Sequence, residues 1–306
     1  SANEKTAMEA ALGMSYAGKR TMVCMKHVGL NVAADAFINS AITGVNGGLI
    51  VAVADDPSMH SSQNEQDSRF FGKFALIPVL EPANQQEAYD MAYEAFELSE
   101  KLKIPVMIRI TTRLSHSRSG VETRPLKNEN TLSYPSDPIQ FVLLPSNARK
   151  RYKSLLGLQS LIEQESDRSS YNTYYPGRNK SLGVVACGIA YNYVKENYPD
   201  KINPHPILQL GQYPLPFTKV ERIVTECEQI LVLEDGYPIV EEMLRGYLDK
   251  NSKIKGRLDG TIPRDGELNP DIVAKALGKE VKVGMKVPAI VANRPPELCS
   301  GCSHRD

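Results

Sequence analysis

The first third of the chain switches repeatedly between two hydrophobic periods. From Glu4 to Gly18 the apolar residues Ala7, Met8, Ala11, Leu12 and Tyr16 recur at helical spacing, with Asn3 placed to cap the start and Gly18 to stop the end. The short run "TMVCM" follows, then a helical pattern over Leu30 to Ala41. Next comes "GGLIVAVA", a continuous apolar run of the kind a strand shows when both its faces are covered. "FALIPVLEP" predicts another strand. Gln85 to Leu102 predicts a helix, because Ala88, Met91, Ala92, Ala95, Phe96 and Leu102 fall on one stripe, and "IPVMIRITT" predicts a strand after it. Strands alternating with helices specify a parallel sheet wound on both sides.

Between about Glu122 and Lys180 the rhythm breaks. Prolines accumulate, apolar residues thin out and the polar run "EQESDRSSYNTYYPGRNK" appears, so residues 126–179 read as a connecting segment with some helix around Arg149 to Gln164. A second α/β unit then occupies residues 180–287. Its pattern is "LGVVACG" strand, Ile189 to Tyr198 helix, "HPILQLG" strand, Thr218 to Cys227 helix, "QILVLEDG" strand and Pro238 to Leu248 helix. The fold class expected is α/β: two wound, mostly parallel-sheet domains over residues 1–125 and 180–287, with 288–306 opening a third region. The chain opens at Ser1 and closes on "LCSGCSHRD", and both ends read as cut.

A length of 306 residues suits two domains. Lys+Arg and Asp+Glu balance at 36 each, so there is no general pull toward polyanions, and nucleic acid and membrane are not expected partners. No apolar run approaches the ~20 residues needed to span a bilayer and no secretory pattern opens the chain, so a cytoplasmic location is expected. Cys24, Cys187 and Cys227 are isolated and suggest reduced thiols rather than a disulfide framework. Only Cys299 and Cys302 form a pair. Their C-x-x-C spacing is shared by zinc ribbons, iron-sulfur sites and redox dithiols, and alone it closes no tetrahedral site.

The stretch "VADDPSMHSSQNEQDSRFF", Val53 to Phe71, has no apolar residue between Pro57 and Phe70 except Met59. It leaves the carboxyl end of a strand, which is where a wound parallel sheet opens its ligand crevice. An ordinary solvated loop of turns and caps would also look like this. Two other strand ends change the balance: "IRITT" runs into "RLSHSRSG" and "VCM" into "KHVGLN", so His27, His60 and His116 converge on one rim. That suits recognition of an acidic organic molecule. No phosphate-cradling glycine loop, nucleophile elbow or zinc-spaced histidine pair accompanies it, which points to a cofactor that carries the chemistry.

Together "SANEKTAMEAALGMSYAGKR", "TMVCMKHVGLNVAADAF", "VADDPSMHSSQNEQDSRFFGKFALIPVLEP", "RITTRLSHSRS" and "PPELCSGCSHRD" closely resemble the thiamine-diphosphate-dependent 2-oxoacid:ferredoxin oxidoreductase family, specifically its indolepyruvate-type alpha subunits. The resemblance runs over nearly the whole chain. It implies a thiamine-pyrimidine-type domain lacking its first strand at 1–125, a transketolase C-terminal-like domain at 180–287 and the truncated start of a pyrophosphate-binding domain at 288–306. The implied reaction is oxidative decarboxylation of arylpyruvates such as indolepyruvate to acyl-CoA, with ferredoxin as electron acceptor. Thiamine diphosphate, Mg2+ and 4Fe-4S clusters are the implied cofactors. A beta subunit, ferredoxin, arylpyruvate and coenzyme A are the implied partners, in an oligomer.

The same resemblance assigns residues. Glu4 matches the family's catalytic glutamate, which shares a proton with N1' of the aminopyrimidine; His60, Ser61, Ser62 and Gln63 face the substrate; Lys26 and His27 form a second wall on the cofactor side. Cys299 and Cys302 correspond to two iron-sulfur ligands, and the Mg2+ ligands are expected in the absent domain, so the chain alone holds half a site and is expected to be inactive. From spacing alone Glu4 is simply a first-turn acid favoured by the helix dipole. Two rival functions stay open: a related 2-oxoacid:ferredoxin oxidoreductase with another substrate, and a non-catalytic assembly module.

Overall fold

The computed structural model describes residues 2–198, 203–247, 254–257, 259–263 and 266–281, with isolated positions at 284, 288, 290 and 291. Cys299 and Cys302 lie outside the described residues, as does most of 288–306. The first half runs α1 (Glu4–Tyr16), β1 (Thr21–Lys26), α2 (His27–Thr43), β2 (Leu49–Asp55), α3 (Arg69–Ala75), β3 (Val79–Leu80), α4 (Gln85–Leu102), β4 (Val106–Thr111) and α5 (Thr112–His116). α6 (Pro145–Arg168) crosses to the second half. There follow β5 (Asn172–Tyr175), β6 (Gly183–Cys187), α7 (Ala190–Glu196), β7 (Ile207–Leu210), β8 (Gln212–Tyr213), α8 (Phe217–Glu226), β9 (Ile230–Leu233), α9 (Ile239–Tyr247), β10 (Ile254–Lys255) and α10 (Pro270–Ala276).

Local chemistry explains the helix starts. Asn3 and Asn84 adopt extended backbone, and their side chains accept from the backbone N–H of Thr6 and Glu87, satisfying donors that the first turn leaves free. The first sheet has the order β1-β2-β4-β3-β8, parallel except for its last member. Alternate residues of its central strands feed opposite layers. Leu49, Val51 and Val53 join Met8, Leu30 and Phe37 of α1 and α2, whereas Ile50, Val106 and Ile108 join Met91 and Ala95 of α4. This double covering is why "GGLIVAVA" reads as unbroken apolar sequence. The second sheet, β10-β9-β6-β7-β5, is also parallel except at one edge, where β5 runs antiparallel to β7.

Three departures from the sequence reading have physical causes. "RFFGKFA" is the helix α3, which closes on Leu76 at φ 61, so "FALIPVLEP" contributes strand only at Val79–Leu80 between Pro78 and Pro82. α6 is 24 residues long because Pro145 can start a helix at its first turn, well before Arg149. β8 leaves the second sheet and pairs antiparallel with β3, Val79 opposite Tyr213 and Leu80 opposite Gln212. Asn172 fixes that departure: its Oδ1 accepts from the N–H of Gly211 and Gln212, and its Nδ2 donates to the Gln212 carbonyl. Among the described residues Cys24, Cys187 and Cys227 form no disulfide, and no helix is long and apolar enough to cross a membrane.

Candidate active site

Contacts between the halves gather at the carboxyl ends of the strands. Beyond β2 the loop carrying His60 to Gln63 is organised by one carboxylate. Asp56 accepts from the N–H of His60 (3.1 Å) and Ser61 (2.9 Å), from Ser62 Oγ (2.6 Å) and from Thr112 Oγ1 (2.8 Å). Burial opposes ionisation of Asp56, but the hydrogen bonds from Ser62, Ser61, Thr112 and His60 outweigh it and hold the pKa down to about 2. The turn it closes carries Ser58 and Met59 at φ 68 and 55, left-handed positions that cost non-glycine residues strain. Lys26, at the end of β1, braces the far side of the loop through Ser62 Oγ (2.8 Å) and the Ser61 carbonyl (3.2 Å).

His27 is buried behind the loop, 1% exposed, with Nδ1 3.4 Å from the Ala54 carbonyl and Nε2 3.3 Å from that of Asn64. It ties β2 to the loop and does not line the open cleft. The cleft itself, about 540 Å³, is lined by His60, Ser61, Thr112, Arg113, His116, Ser117 and Glu267. Of the three rim histidines, His60 and His116 therefore share one opening. Ser62 turns toward Asp56 and Lys26, while Gln63 is exposed and makes no hydrogen bond among the described residues.

Glu4 lies at the start of α1 against Gly29 in the first turn of α2. A Cβ at Gly29 would come within 2.6 to 2.9 Å of the Glu4 side chain, so only glycine leaves that carboxylate its position. Glu4 is half-buried and has no hydrogen-bond or ion-pair partner among the described residues. A sheltered carboxyl group with unused capacity fits one that meets a ring nitrogen of a bound cofactor. It does not line the His60 cleft.

Below the rim lies a buried ionic network that the sequence reading did not include. Arg109, 0% exposed within β4, donates to Asp55 Oδ2 (2.6 Å), Glu81 Oε1 (2.5 Å) and the Asp235 carbonyl (2.7 Å). Arg69 donates to Asp67 Oδ2 (2.5 Å), Glu234 Oε2 (3.0 Å) and the Tyr237 carbonyl (2.9 Å). Burial pushes Glu234 up to about 7 and Asp235 up to about 6, despite Arg69 and Arg109 beside them. Asp67 is instead held low, because Arg109 and Arg69 together outweigh its burial. The sequence signal was available: an arginine inside "PVMIRIT" cannot be buried unpaired. Arg113 and Glu267 of the cleft were also missed, Glu267 because its partners are more than 150 residues away in sequence. No group of three metal-ligating side chains occurs among the described residues.

Comparison with known proteins bears on this geometry. Residues 1–147 match the family described as "Pyruvate flavodoxin/ferredoxin oxidoreductase, thiamine diP-bdg". The whole chain is similar to indolepyruvate oxidoreductase subunit IorA of Methanothermobacter thermautotrophicus, 41% identical, and of Archaeoglobus fulgidus, also 41%, covering 100% and 99% of this chain and 51% of each relative. The chain thus spans about half the length of the curated relatives it matches. Among solved structures, a 2-oxoglutarate:ferredoxin oxidoreductase from Magnetococcus marinus, with 2-oxoglutarate, coenzyme A and succinyl-CoA bound, superposes with TM-score 0.68 at 13% identity, over 91% of this chain and 56% of that one. An inactive split-gene transketolase tetramer gives TM-score 0.54 at 16% identity, over 90% of this chain and 80% of that one. At those identities the likeness concerns the fold alone, that of mixed α/β units with mostly parallel sheets.

Proposed function

We propose that this chain, whose residues 1–147 belong to the pyruvate flavodoxin/ferredoxin oxidoreductase thiamine diphosphate-binding family, forms the pyrimidine- and substrate-facing part of a 2-oxoacid oxidoreductase subunit. The substrate is an arylpyruvate such as indolepyruvate, the product its acyl-CoA and the acceptor ferredoxin, a reading supported by the names of the full-length relatives. Thiamine diphosphate supplies, when bound, the nucleophilic carbon and electron sink that decarboxylation of a 2-oxoacid needs. The observation that carries the proposal is the unpartnered Glu4 carboxylate seated on Gly29.

In this reading Glu4 holds a proton at N1' of the aminopyrimidine. Lys26 and His27 act on the cofactor side by fixing the loop that closes over it, Lys26 through Ser61 and Ser62 and His27 through Ala54 and Asn64. Arg113, His60, Ser61 and Thr112 receive the substrate carboxylate in their cleft, with Ser62 and Gln63 on its flank. Cys299 and Cys302 would supply two ligands to a 4Fe-4S cluster, the ligands of Mg2+ would come from another domain, a beta subunit would complete the oligomer, and the assembly would work in the cytoplasm.

The test is Glu4→Gln in the assembled enzyme, with hydrogen exchange at C2 of bound thiamine as readout. An amide cannot pass the proton, so exchange falls by at least the ~10²-fold typical of a lost general acid-base group while thiamine diphosphate stays bound. Exchange at the wild-type rate defeats the assignment and favours the assembly role.

A further inference from the structure

We propose that Glu267 is a specificity-determining carboxylate that occupies, from within the chain, the anion seat made by Arg113 and His60, so that an incoming 2-oxoacid must displace it. The inference rests on the reading of this cleft given above. Arg113 Nη2 donates to Glu267 Oε2, and His60 Nε2 lies 3.5 Å from the same oxygen. The two donors come from the first half, at the end of β4 and on the loop after β2, and the acid comes from the segment before α10. Their exposures differ: 42% for the Arg113 side chain and 48% for His60, against 13% for Glu267. The basic groups face the opening and the acid plugs them from beneath. While Glu267 is in place it cancels the Arg113 charge, and the cleft offers an anion little attraction.

Glu267 is not needed as a strut. Its neighbour Leu268 is buried and donates its N–H to Asp235 Oδ1 (3.2 Å), which anchors the segment through its backbone. The seat also contains a second place for a displaced acid. The Tyr193 hydroxyl is buried without a hydrogen-bond partner, and the Arg113 guanidinium sits 5.9 Å from the centre of its ring. Burial pushes that hydroxyl's pKa up, Arg113 opposes the rise, and Asp235 and then Glu267 add to it. A phenol left unpaired in a buried site is a donor awaiting an acceptor. On this proposal Glu267 holds Arg113 when the cleft is empty, and the unpartnered Tyr193 hydroxyl beside Arg113 receives it when a ligand carboxylate takes the guanidinium. A ligand bearing a second carboxylate would meet Glu267 again, which disfavours dicarboxylates relative to aryl monocarboxylates.

The test measures Kd and KM for indolepyruvate in the assembled enzyme, together with melting temperature. Glu267→Gln removes the competing charge and lowers both constants about three- to tenfold, the range for a partly screened ion pair. Tyr193→Phe removes that receiving hydroxyl and raises KM a few-fold. An unchanged or raised KM in Glu267→Gln overturns the proposal, as does an unchanged KM in Tyr193→Phe, which stays informative if the first variant does not fold. The Glu4→Gln experiment reads C2 exchange without substrate, so either idea can fail while the other stands.

Discussion

Asp55 and Asp56 are adjacent at the end of β2, and Arg109 and Arg113 lie four positions apart around the end of β4, yet the members of each pair serve different regions. Asp55 turns inward, accepts from Arg109 and from Ser68 (2.9 Å), and joins the sealed ionic layer between the sheets. Asp56 turns to the rim and shapes the loop that walls an open cleft. Arg109 is wholly buried and spends its donors on the protein, whereas Arg113 keeps two-fifths of its side chain exposed beside one sheltered acid. For the adjacent aspartates alternation is enough, because successive side chains point to opposite faces; Arg113 parts from Arg109 because β4 ends at Thr111 and Arg113 belongs to α5, so in both pairs near neighbours in sequence meet different dielectrics. In the inner layer charge is structural because water cannot replace a lost partner, and on the rim it stays available to a ligand.

The sharpest test of this contrast compares two methionine substitutions. Arg109→Met strands Asp55 and Glu81 as buried carboxyl groups and is expected to cost about 3–5 kcal/mol. Arg113→Met is expected to cost less than about 1 kcal/mol and to weaken 2-oxoacid binding instead. Denaturant unfolding of both variants settles the matter, and equal losses would dissolve the distinction between layer and rim.

A second test uses pH. Glu234 has its folded-state pKa raised to about 7, so between the unfolded value near 4 and 7 the native state binds more protons than the unfolded one. Stability from this group is complete below about 4 and is lost as pH rises through 7, a change of roughly 3 kcal/mol. Asp56 behaves oppositely: with its pKa lowered to about 2, its contribution is present above about 4 and lost as pH falls through 2. Unfolding free energies at pH 5 and pH 8 should show the decline in wild type and a flatter line in Glu234→Gln. A parallel decline in that variant would remove Glu234 as its source.

The smallest expected effect is at the rim. Asp56→Asn replaces a buried carboxylate that accepts from four groups by an amide with one acceptor oxygen, which keeps part of the bonding and is expected to cost about 1–2 kcal/mol. Amide hydrogen exchange at Ser58 to Ser62 should accelerate more than exchange in β2. Uniform acceleration would mean that the loop is held by other contacts.

Much of this was legible in the sequence. The alternation of α1, β2, α4 and β4 with their apolar stripes specified a wound sheet, and "ADDPSMHSS" after β2 marked the rim. β3 was read too long, because helix α3 is half-buried and its apolar residues merge with those of the strand after it. β8 was invisible as a crossing strand: two residues carry no period, and only the long-range pairing with β3 defines them. Glu267 lay outside any recognisable motif, since an isolated acid gives no sign of which arginine it will meet. Histidine convergence pointed to the opening that His60 and His116 share but could not separate His60, which faces the cleft, from His27, which is sealed behind it. Depth is a tertiary property.

The crossing of β8 bears on how such a protein can be rearranged by recombination. β8 follows β7 after a single residue, yet it completes the sheet built from the first half, and Ser166 and Asn172 hold it there through the Gln212 carbonyl. A genetic breakpoint between the two sheets would therefore not fall between two self-sufficient modules. The upstream product would end its sheet at the bare β3 edge, and the downstream product would carry a strand with no sheet to join.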